Sequence, residues 1–295
     1  MNVTTPVKPV SITRPIATAS IFVATGRETI SIRGGTEIGT VKFLEDTPIL
    51  PPLLEPGTDY AVRIEDGNPM VYACGGGLPD GAIGGFHFAP GGNADEGKGG
   101  DAQPAINPAS CWDVGFRPAC PDPRGMALVE RDGLRFWCDI YLLGVDHVSK
   151  GTSRFGDEIA DGRSLPASQD GKGKVKKLDY ATAVAIYVHH GKQLLGAEEF
   201  FAAAYGVRER SSAKDDPERT NLDAERTSCA GIMQATGNMW IWGTDGHPVD
   251  PRPSLFGGSW LHGGHSGSRY ALLVYWPDYS GGSVSARGRS DHLAA

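Results

Sequence analysis

Residues 237–242 read Gly237-Asn238-Met239-Trp240-Ile241-Trp242, and the chain returns to the same alphabet at Gly257-Gly258-Ser259-Trp260. From Gly257 to Ser283 it carries seven Gly, five Ser and five Trp or Tyr (Trp260, Tyr270, Tyr275, Trp276, Tyr279), against only two charges, Arg269 and Asp278. No apolar period of 3.6 runs through these residues. Nothing from Ser228 onward therefore reads as helical, and short β-prone runs between Gly-containing turns are expected. The composition is that of a contact surface: aromatic rings supply area at low entropic cost, while Ser and Gly supply adaptable hydrogen bonding. Trp240, Trp242, Trp260 and Trp276 read equally as core or as contact residues. Tyr275 and Tyr279, lying among Gly, Ser and Pro, read as contacts.

Upstream, Leu134, Phe136, Cys138, Ile140 and Leu142 alternate, which predicts a strand over Leu134–Leu143. Lys150–Lys177 is polar, with Lys172, Lys174, Lys176 and Lys177 on a solvated loop. Tyr180, Ala183, Val184, Tyr187 and Val188 recur at helical spacing, with Asp179 as N-cap and Gly191 as the stop. A shorter helix is expected over Ala197–Tyr205, ending at Gly206. Arg208–Arg226 is charged throughout and reads as an exposed connection.

Residues 1–72 alternate short β-rich runs (Ile21–Val23, Thr29–Ile32, Thr40–Phe43, Tyr60–Ile64) with turns such as Arg33-Gly34-Gly35. The stretch from Cys74 to Ala109 is dense in Gly and Pro and reads as loop, with neither strand nor helix evident. The fold class expected is thus α+β, in three parts: a small all-β domain over 1–72, a Gly/Pro-rich connection over 73–124, and an α+β domain over 125–295.

Composition excludes several classes. The 295 residues include 41 Gly, about twice the usual ~7% share, but there is no collagen period. With 40% hydrophobic residues and six Trp, the chain is not a disordered one. A formal net charge of -7 argues against nucleic acid as partner. No run of 18 apolar residues appears, so no membrane-inserting helix is expected. Pro15–Ala24 is interrupted by Thr and Ser and reads as a strand, leaving no clear signal peptide. Five Cys without a C-x-x-C pair read as buried thiols.

Catalytic readings fare poorly. Gly264-His265-Ser266-Gly267-Ser268 misses the nucleophile elbow G-x-S-x-G by its last Gly, and no helix follows. His262 and His265 have metal-like spacing, but no third ligand stands near them. His189-His190 falls at a helix end, where a cation suits the dipole.

Four ordered motifs carry a resemblance: Phe136-Trp137-Cys138-Asp139-Ile140-Tyr141; Gly191-Lys192-Gln193-Leu194 with Ala197-Glu198-Glu199-Phe200; Gly237 to Trp242; and Gly257-Gly258-Ser259-Trp260. Together they resemble the formylglycine-generating-enzyme type of C-type lectin fold, over roughly Gly125–Leu293. The ending Ser285-Ala286-Arg287-Gly288-Arg289-Ser290-Asp291-His292-Leu293 is similar to the tail of the variable proteins diversified by retroelements, the group that contains the phage major tropism determinant.

In that family a reverse transcriptase copies a template with errors at adenines, so Asn codons become many others with the third base unchanged. The resemblance lays these positions on Ser259, Leu261, His262, His265, Leu272, Val274, Tyr275, Tyr279, Gly281 and Ser283, within a variable region of about 257–293. Each of these amino acids is reachable from AAC or AAT by replacing adenines alone; Lys, Glu, Gln, Met and Trp are not, and none of them occurs at these ten positions. Trp240, Trp242, Gly258, Trp260, Arg269 and Arg287 fall on the family's constant scaffold. His262 and His265 then become products of diversification, and Leu261, Leu272 and Val274 become surface groups beside Tyr275. An exposed apolar patch of this kind marks a binding surface.

The resemblance implies a receptor-binding protein, not an enzyme: a protein or glycan ligand on a bacterial cell surface, display on a phage or prophage tail or on a bacterial surface, and a homo-oligomer, by analogy a trimer, or a tail assembly. It implies no cofactor beyond a structural calcium ion at no position the sequence identifies. The rival enzyme reading, an oxidase of the formylglycine-generating type, needs a late cysteine pair, and no Cys follows Cys229. A second rival, a structural virion protein, requires an invariant 259–283 segment among isolates.

Overall fold

The computed structural model describes residues 11–246 and 253–293. The expected N-terminal strands form within a residue or two of their sequence limits, as Phe22–Ala24, Ile30–Ile32, Val41–Phe43 and Thr58–Glu65. Phe22–Ala24 and Thr47–Ile49 flank Ile30–Ile32, and Ile12–Thr13 and Val41–Phe43 flank Thr36–Ile38, in two small antiparallel sheets. Their inward Ile21, Phe22, Ile30 and Ile32 share one core with Tyr60, Val62, Phe86 and Phe88 of a larger sheet.

That larger sheet corrects two expectations. Its order is Ala105–Ile106, Gly84–Ala89, Thr58–Glu65, Asn68–Ala73, with Trp112–Asp113 also pairing with Gly84–Ala89. The Gly-dense segment read as loop thus supplies a strand buried along its whole length, and residues 73–124, expected as a connection, supply strands to a sheet begun by Thr58–Glu65. The physical reason lies in Gly84 and Gly85. A Cβ on Gly84 would meet the Trp112 carbonyl oxygen and the Phe22 ring at 2.3 Å, and one on Gly85 the Tyr60 carbonyl oxygen at 2.2 Å. Here glycine serves close backbone approach inside a sheet, a use that resembles a turn in composition.

In the second half, Met126–Arg131 and Leu134–Asp139 form a hairpin through Asp132 and Gly133, both at positive φ, as a tight turn between twisted strands requires. Gly288–Asp291 pairs with Leu134–Asp139 on one side and with Gln193–Leu194 on the other, so the last described strand lies inside the sheet. The strand expected over Leu134–Leu143 stops at Asp139. There the Asp139 carboxylate turns to the buried Lys192 ammonium (2.6 Å) and the Thr152 hydroxyl (2.8 Å). Both strand faces are covered, with Phe136 and Cys138 in one core cluster and Trp137 in another, so burial is continuous instead of alternating.

Helix Tyr180–His189 begins where the Thr182 N–H donates to the Asp179 carboxylate at 2.9 Å and is followed by Gly191 at φ +69°. Helix Ala197–Ala203 is shorter than expected by two residues at its C-terminus. Arg208–Arg226 is only partly the exposed connection predicted: Thr220 and Arg226 are buried. Lys172, Lys174, Lys176 and Lys177 are exposed, as read. The five cysteines are free, with Cys111, Cys120 and Cys138 buried and Cys74 and Cys229 partly so.

A last sheet orders Ala271–Leu272, Pro253–Phe256, Trp240–Gly246 and Val284–Ser285, the final pair parallel. The two halves meet through a buried polar chain. His87 Nδ1 lies 3.0 Å from Asp59 Oδ1 and its Nε2 3.0 Å from the Tyr141 hydroxyl, while the Gly125 N–H donates to Asp59 Oδ1 at 2.9 Å.

Candidate functional site

Arg287, read as scaffold, is buried and ties the end of one sheet to a loop of the other layer. One guanidinium nitrogen donates to the carbonyls of Asp139 (2.8 Å) and Ile140 (2.7 Å), the other to those of Met233 (2.7 Å) and Gln234 (3.2 Å). Burial pulls its pKa below the ordinary arginine value. Four carbonyl acceptors take up the two terminal nitrogens of a cation that has no carboxylate in hydrogen-bonding contact, while its buried Nε has no partner.

On this frame the 257–270 segment folds back on itself. The Gly267 N–H donates to the Gly257 carbonyl (3.0 Å) and the Gly257 N–H to the Tyr270 carbonyl (2.9 Å). Gly258 sits at φ +79°, and a Cβ there would lie 2.2 Å from Ser266 Oγ and 2.8 Å from Ser266 Cα, so the turn admits only glycine. The Trp260 N–H donates to the Asn238 carbonyl at 3.0 Å, and Ser212 Oγ donates to the Trp260 carbonyl at 3.2 Å. Glu209, inside the charged stretch read as a connection, accepts the Ser268 N–H at 3.1 Å and the Ser268 hydroxyl. Nothing local in the sequence marks it for that task.

The ten positions divide by environment. Leu261 and Val274 are 61% and 59% exposed, and His265 is exposed as well. Leu272, Tyr275 and Tyr279 are half-buried against the core edge formed by Trp240, Trp242, Leu255 and Val284. Gly281 and Ser283 are half-buried, and their carbonyls accept the N–H groups of Gly162 (3.1 Å) and Trp240 (2.9 Å). Ser259 departs from the expected exposure: it is fully buried, because its segment lies beside Asn238 in a parallel bridge.

His262 leans on that buried Ser259. The indole N–H of Trp240 donates to His262 Nε2 at 3.4 Å, which places the ring proton on Nδ1, facing Ser259 Oγ at 2.8 Å. Burial, then the nearby His265, lowers the His262 pKa. The structure brings Ser259, His262 and Trp240 together in one group and Tyr275 with Tyr279 in another, while His265 stands apart over Tyr270.

The tryptophans separate cleanly. Trp240 and Trp242 are core, Trp260 packs half-buried on the main cluster, and Trp276 is 53% exposed. Arg269 is exposed, its guanidinium 5.0 Å from the Phe201 ring centroid. Among the described residues no group of three or more His, Cys, Asp or Glu side chains is arranged to hold a metal ion, so no calcium is assigned. Nor, among the described residues, is any helix long and apolar enough to cross a membrane. A cleft of about 870 Å³ is lined by Lys214, Asp216, Asp223, Arg226, Gln234 and Asn238 among others.

Apolar and aromatic side chains stand exposed on coils beside a hydrogen-bonded sheet, the arrangement of a surface-binding protein. No family model matches the chain. It belongs nonetheless to the family of the Major Tropism Determinants. It is 36% identical over 318 residues, 93% of this chain and 83% of the relative, to the "Tail fiber receptor-binding protein" of Bordetella phage BPP-1. Among solved structures it matches the Major Tropism Determinant P3c variant with TM-score 0.91 at 36% identity, covering 96% of this chain and 86% of that one. The M1 variant matches with TM-score 0.90 at 35% identity, over 97% and 86%.

Proposed function

We propose that this protein is the receptor-binding protein of a phage or prophage tail, and that it takes hold of a ligand on the bacterial surface with the face that carries Leu261, His262, His265, Leu272, Val274, Tyr275, Tyr279, Gly281 and Ser283, the buried Ser259 lying beneath it against His262. One observation carries the reading: kinship over 93% of the chain to a tail fibre receptor-binding protein. The exposure of Leu273, Val274 and Trp276 within four residues of one another adds support, since exposed apolar groups that lie together mark interaction surfaces where single ones do not. Residues 125–295 form the ligand-binding part, a C-type lectin-like fold of the formylglycine-generating-enzyme type, and the β part ahead of it attaches or oligomerises the chain. Several copies on one tail multiply a weak single-site affinity.

Labelled full-length protein, applied to a panel of bacterial strains, tests the binding. Leu261→Asp with Val274→Asp abolishes adhesion while the melting temperature stays within about 2 °C, as substitutions at exposed sites do; adhesion that survives both changes removes these positions from the contact. The diversification is tested in the DNA. A near-repeat of the segment encoding 257–293, differing only where it has adenine and lying beside a reverse-transcriptase gene, is expected, and absence of both overturns it.

A further inference from the structure

The chain carries a formal net charge of -7, yet Lys172, Lys174, Lys176 and Lys177 stand together and are all exposed. None of them is one of the ten positions above. They lie on a hairpin whose backbone is tied down: the Ser168 N–H donates to the Gly173 carbonyl at 2.7 Å, the Val175 N–H to the Pro166 carbonyl at 3.0 Å, and the Ala167 N–H to the Val145 carbonyl at 2.8 Å. Gly171 makes the turn at φ +68°. Lys174 pairs with Ala167 in an antiparallel bridge, and in extended chain alternate side chains take the same side. Val175 accordingly lines a groove with Ala181, Ala185 and Ile186 of the helix, while Lys174 and Lys176 flank it on the water side, about 6–7 Å apart along the chain.

The acids nearby are engaged elsewhere. Asp179 pairs with Lys177 at 2.8 Å, and Asp278 also attracts that lysine. Asp170 accepts the Ser168 hydroxyl at 2.6 Å and the Lys172 N–H at 3.1 Å. Among the described residues no carboxylate makes an ion pair with the ammonium of Lys172, Lys174 or Lys176. A row of unpaired like charges repels itself and gains only against an anion. The hairpin runs straight into the proposed contact face, for the Leu178 N–H donates to Ser280 Oγ at 3.0 Å and the Tyr180 N–H to the Pro277 carbonyl at 3.1 Å, on either side of Tyr279. A lysine is a point charge on a flexible stem and takes phosphate without a set orientation. The one large apolar side chain among residues 171–177, Val175, is turned inward, so this stretch has nothing to insert into a bilayer. We infer that Lys172, Lys174 and Lys176 form a second contact that takes a phosphorylated saccharide polymer of the cell envelope, whatever ligand the adjoining residues select. The inference rests on the adjoining face being the one turned to the cell.

The test uses the full chain and immobilised dextran phosphate, with plain dextran and phosphatidylglycerol vesicles beside it, in about 10 mM salt, where charges are felt over about 30 Å. Binding to dextran phosphate and not to dextran is expected. Lys172→Gln, Lys174→Gln and Lys176→Gln together weaken it by at least about tenfold, whereas Lys172→Arg, Lys174→Arg and Lys176→Arg together keep it within about twofold. The difference between the unaltered chain and the Gln variant closes in about 1 M salt, where the reach is about 3 Å. Melting temperatures stay equal, because these side chains are exposed. Equal binding by the Gln variant, no binding of dextran phosphate by the unaltered chain, or binding to the vesicles alone overturns the inference. Adhesion to strains is not the readout, so a failure of the lysine contact and a failure of the proposed receptor contact are told apart.

Discussion

The rings of Tyr275 and Tyr279 stack with centroids 4.2 Å apart and planes 25° apart, and both pack on the edge of the cluster that holds Trp242. They are thus structural residues as well as members of the proposed contact surface. Burial and the adjoining Tyr275 hydroxyl raise the Tyr279 phenol above its ordinary pKa. Each Tyr→Ala change should cost about 1–2 kcal/mol of stability, less than a fully buried ring. The double variant should cost less than the sum by about 0.5–1.5 kcal/mol, the worth of an aromatic pair. Urea denaturation of the four proteins measures this, and strictly additive losses would show that the stack contributes nothing.

Arg287 makes a different kind of prediction, because its partners come from two separate segments, Asp139–Ile140 and Met233–Gln234. Arg287→Met removes four hydrogen bonds from buried carbonyls, of which that of Ile140 keeps the Met233 N–H at 2.9 Å, and a loss of about 3–5 kcal/mol is expected from breaking a buried charged network on one side. Arg287→Lys should recover little, since an ammonium is a single point where the guanidinium is a fork reaching two pairs. Full stability in the Lys variant, read from the denaturation midpoint, would show that charge alone suffices there.

Much of this architecture was legible locally. The helix over Tyr180–His189 announced itself by period and by its Asp179 cap, and the early strands by β-branched runs between glycines. What failed to show was whatever depends on distant chain. Gly84–Ala89 reads as loop because its glycines are there for the Trp112 and Tyr60 backbones, which no nearby residue reveals. The Glu209–Ser268 and Lys192–Asp139 pairs are separated by 59 and 53 residues. The four tryptophans share one compositional setting yet split between core and surface, since burial follows from which strand or turn carries them. Exposure at Leu261 and Val274 was suggested by the motif frame, whereas the burial of Ser259 follows from the Asn238 bridge, a tertiary pairing.

Buried histidines and aspartates shape the response to acid, His147, His190 and Asp59 among them. His147 Nε2 faces the Ala167 carbonyl at 2.9 Å and therefore carries the proton, so its Nδ1 accepts from His190 Nε2 at 3.0 Å. Burial lowers both pKa values, His190 to about 4, with help from the neighbouring His147, Lys192 and His189. The unfolded chain takes up these protons at the ordinary histidine value. Stability from the pair is thus complete above pH about 6.5 and is lost as the pH falls toward about 4. Asp59 is driven by burial toward a higher value, but His87, Arg154 and the Gly125 N–H outweigh this and hold it at about 2. Its contribution, about 2 kcal/mol, is present above pH about 3.8 and lost only as the pH falls from there through about 2. Urea midpoints followed from pH 8 to pH 3 should decline first between about 6.5 and 4. That early decline should be smaller in His190→Phe but not absent, since burial lowers His147, His262 and His292 as well, and an unchanged profile in the variant would remove His190 from the account.

Glu209 accepts both the N–H and the hydroxyl of Ser268, and so clamps the turn that carries His265 to the stretch at 208–226. A Cβ on Gly267 would run into Glu209 Oε2 at 1.9 Å, so the carboxylate closes directly over the turn. A hydrogen bond to an ionised acceptor is worth about 1.5–3 kcal/mol. Glu209→Ala should therefore speed amide exchange at Ser268 by about tenfold or more, since each 1.4 kcal/mol of lost local stability is a factor of ten, while protection in the Leu134–Asp139 strand stays as it was. Glu209→Gln keeps an acceptor oxygen without the charge and should fall between the two. The comparison separates a local clamp from a residue on which the whole fold depends: if Glu209→Ala accelerates exchange in the strand as much as at Ser268, the carboxylate supports the entire domain, and the 257–270 turn is not the independent unit these bonds describe.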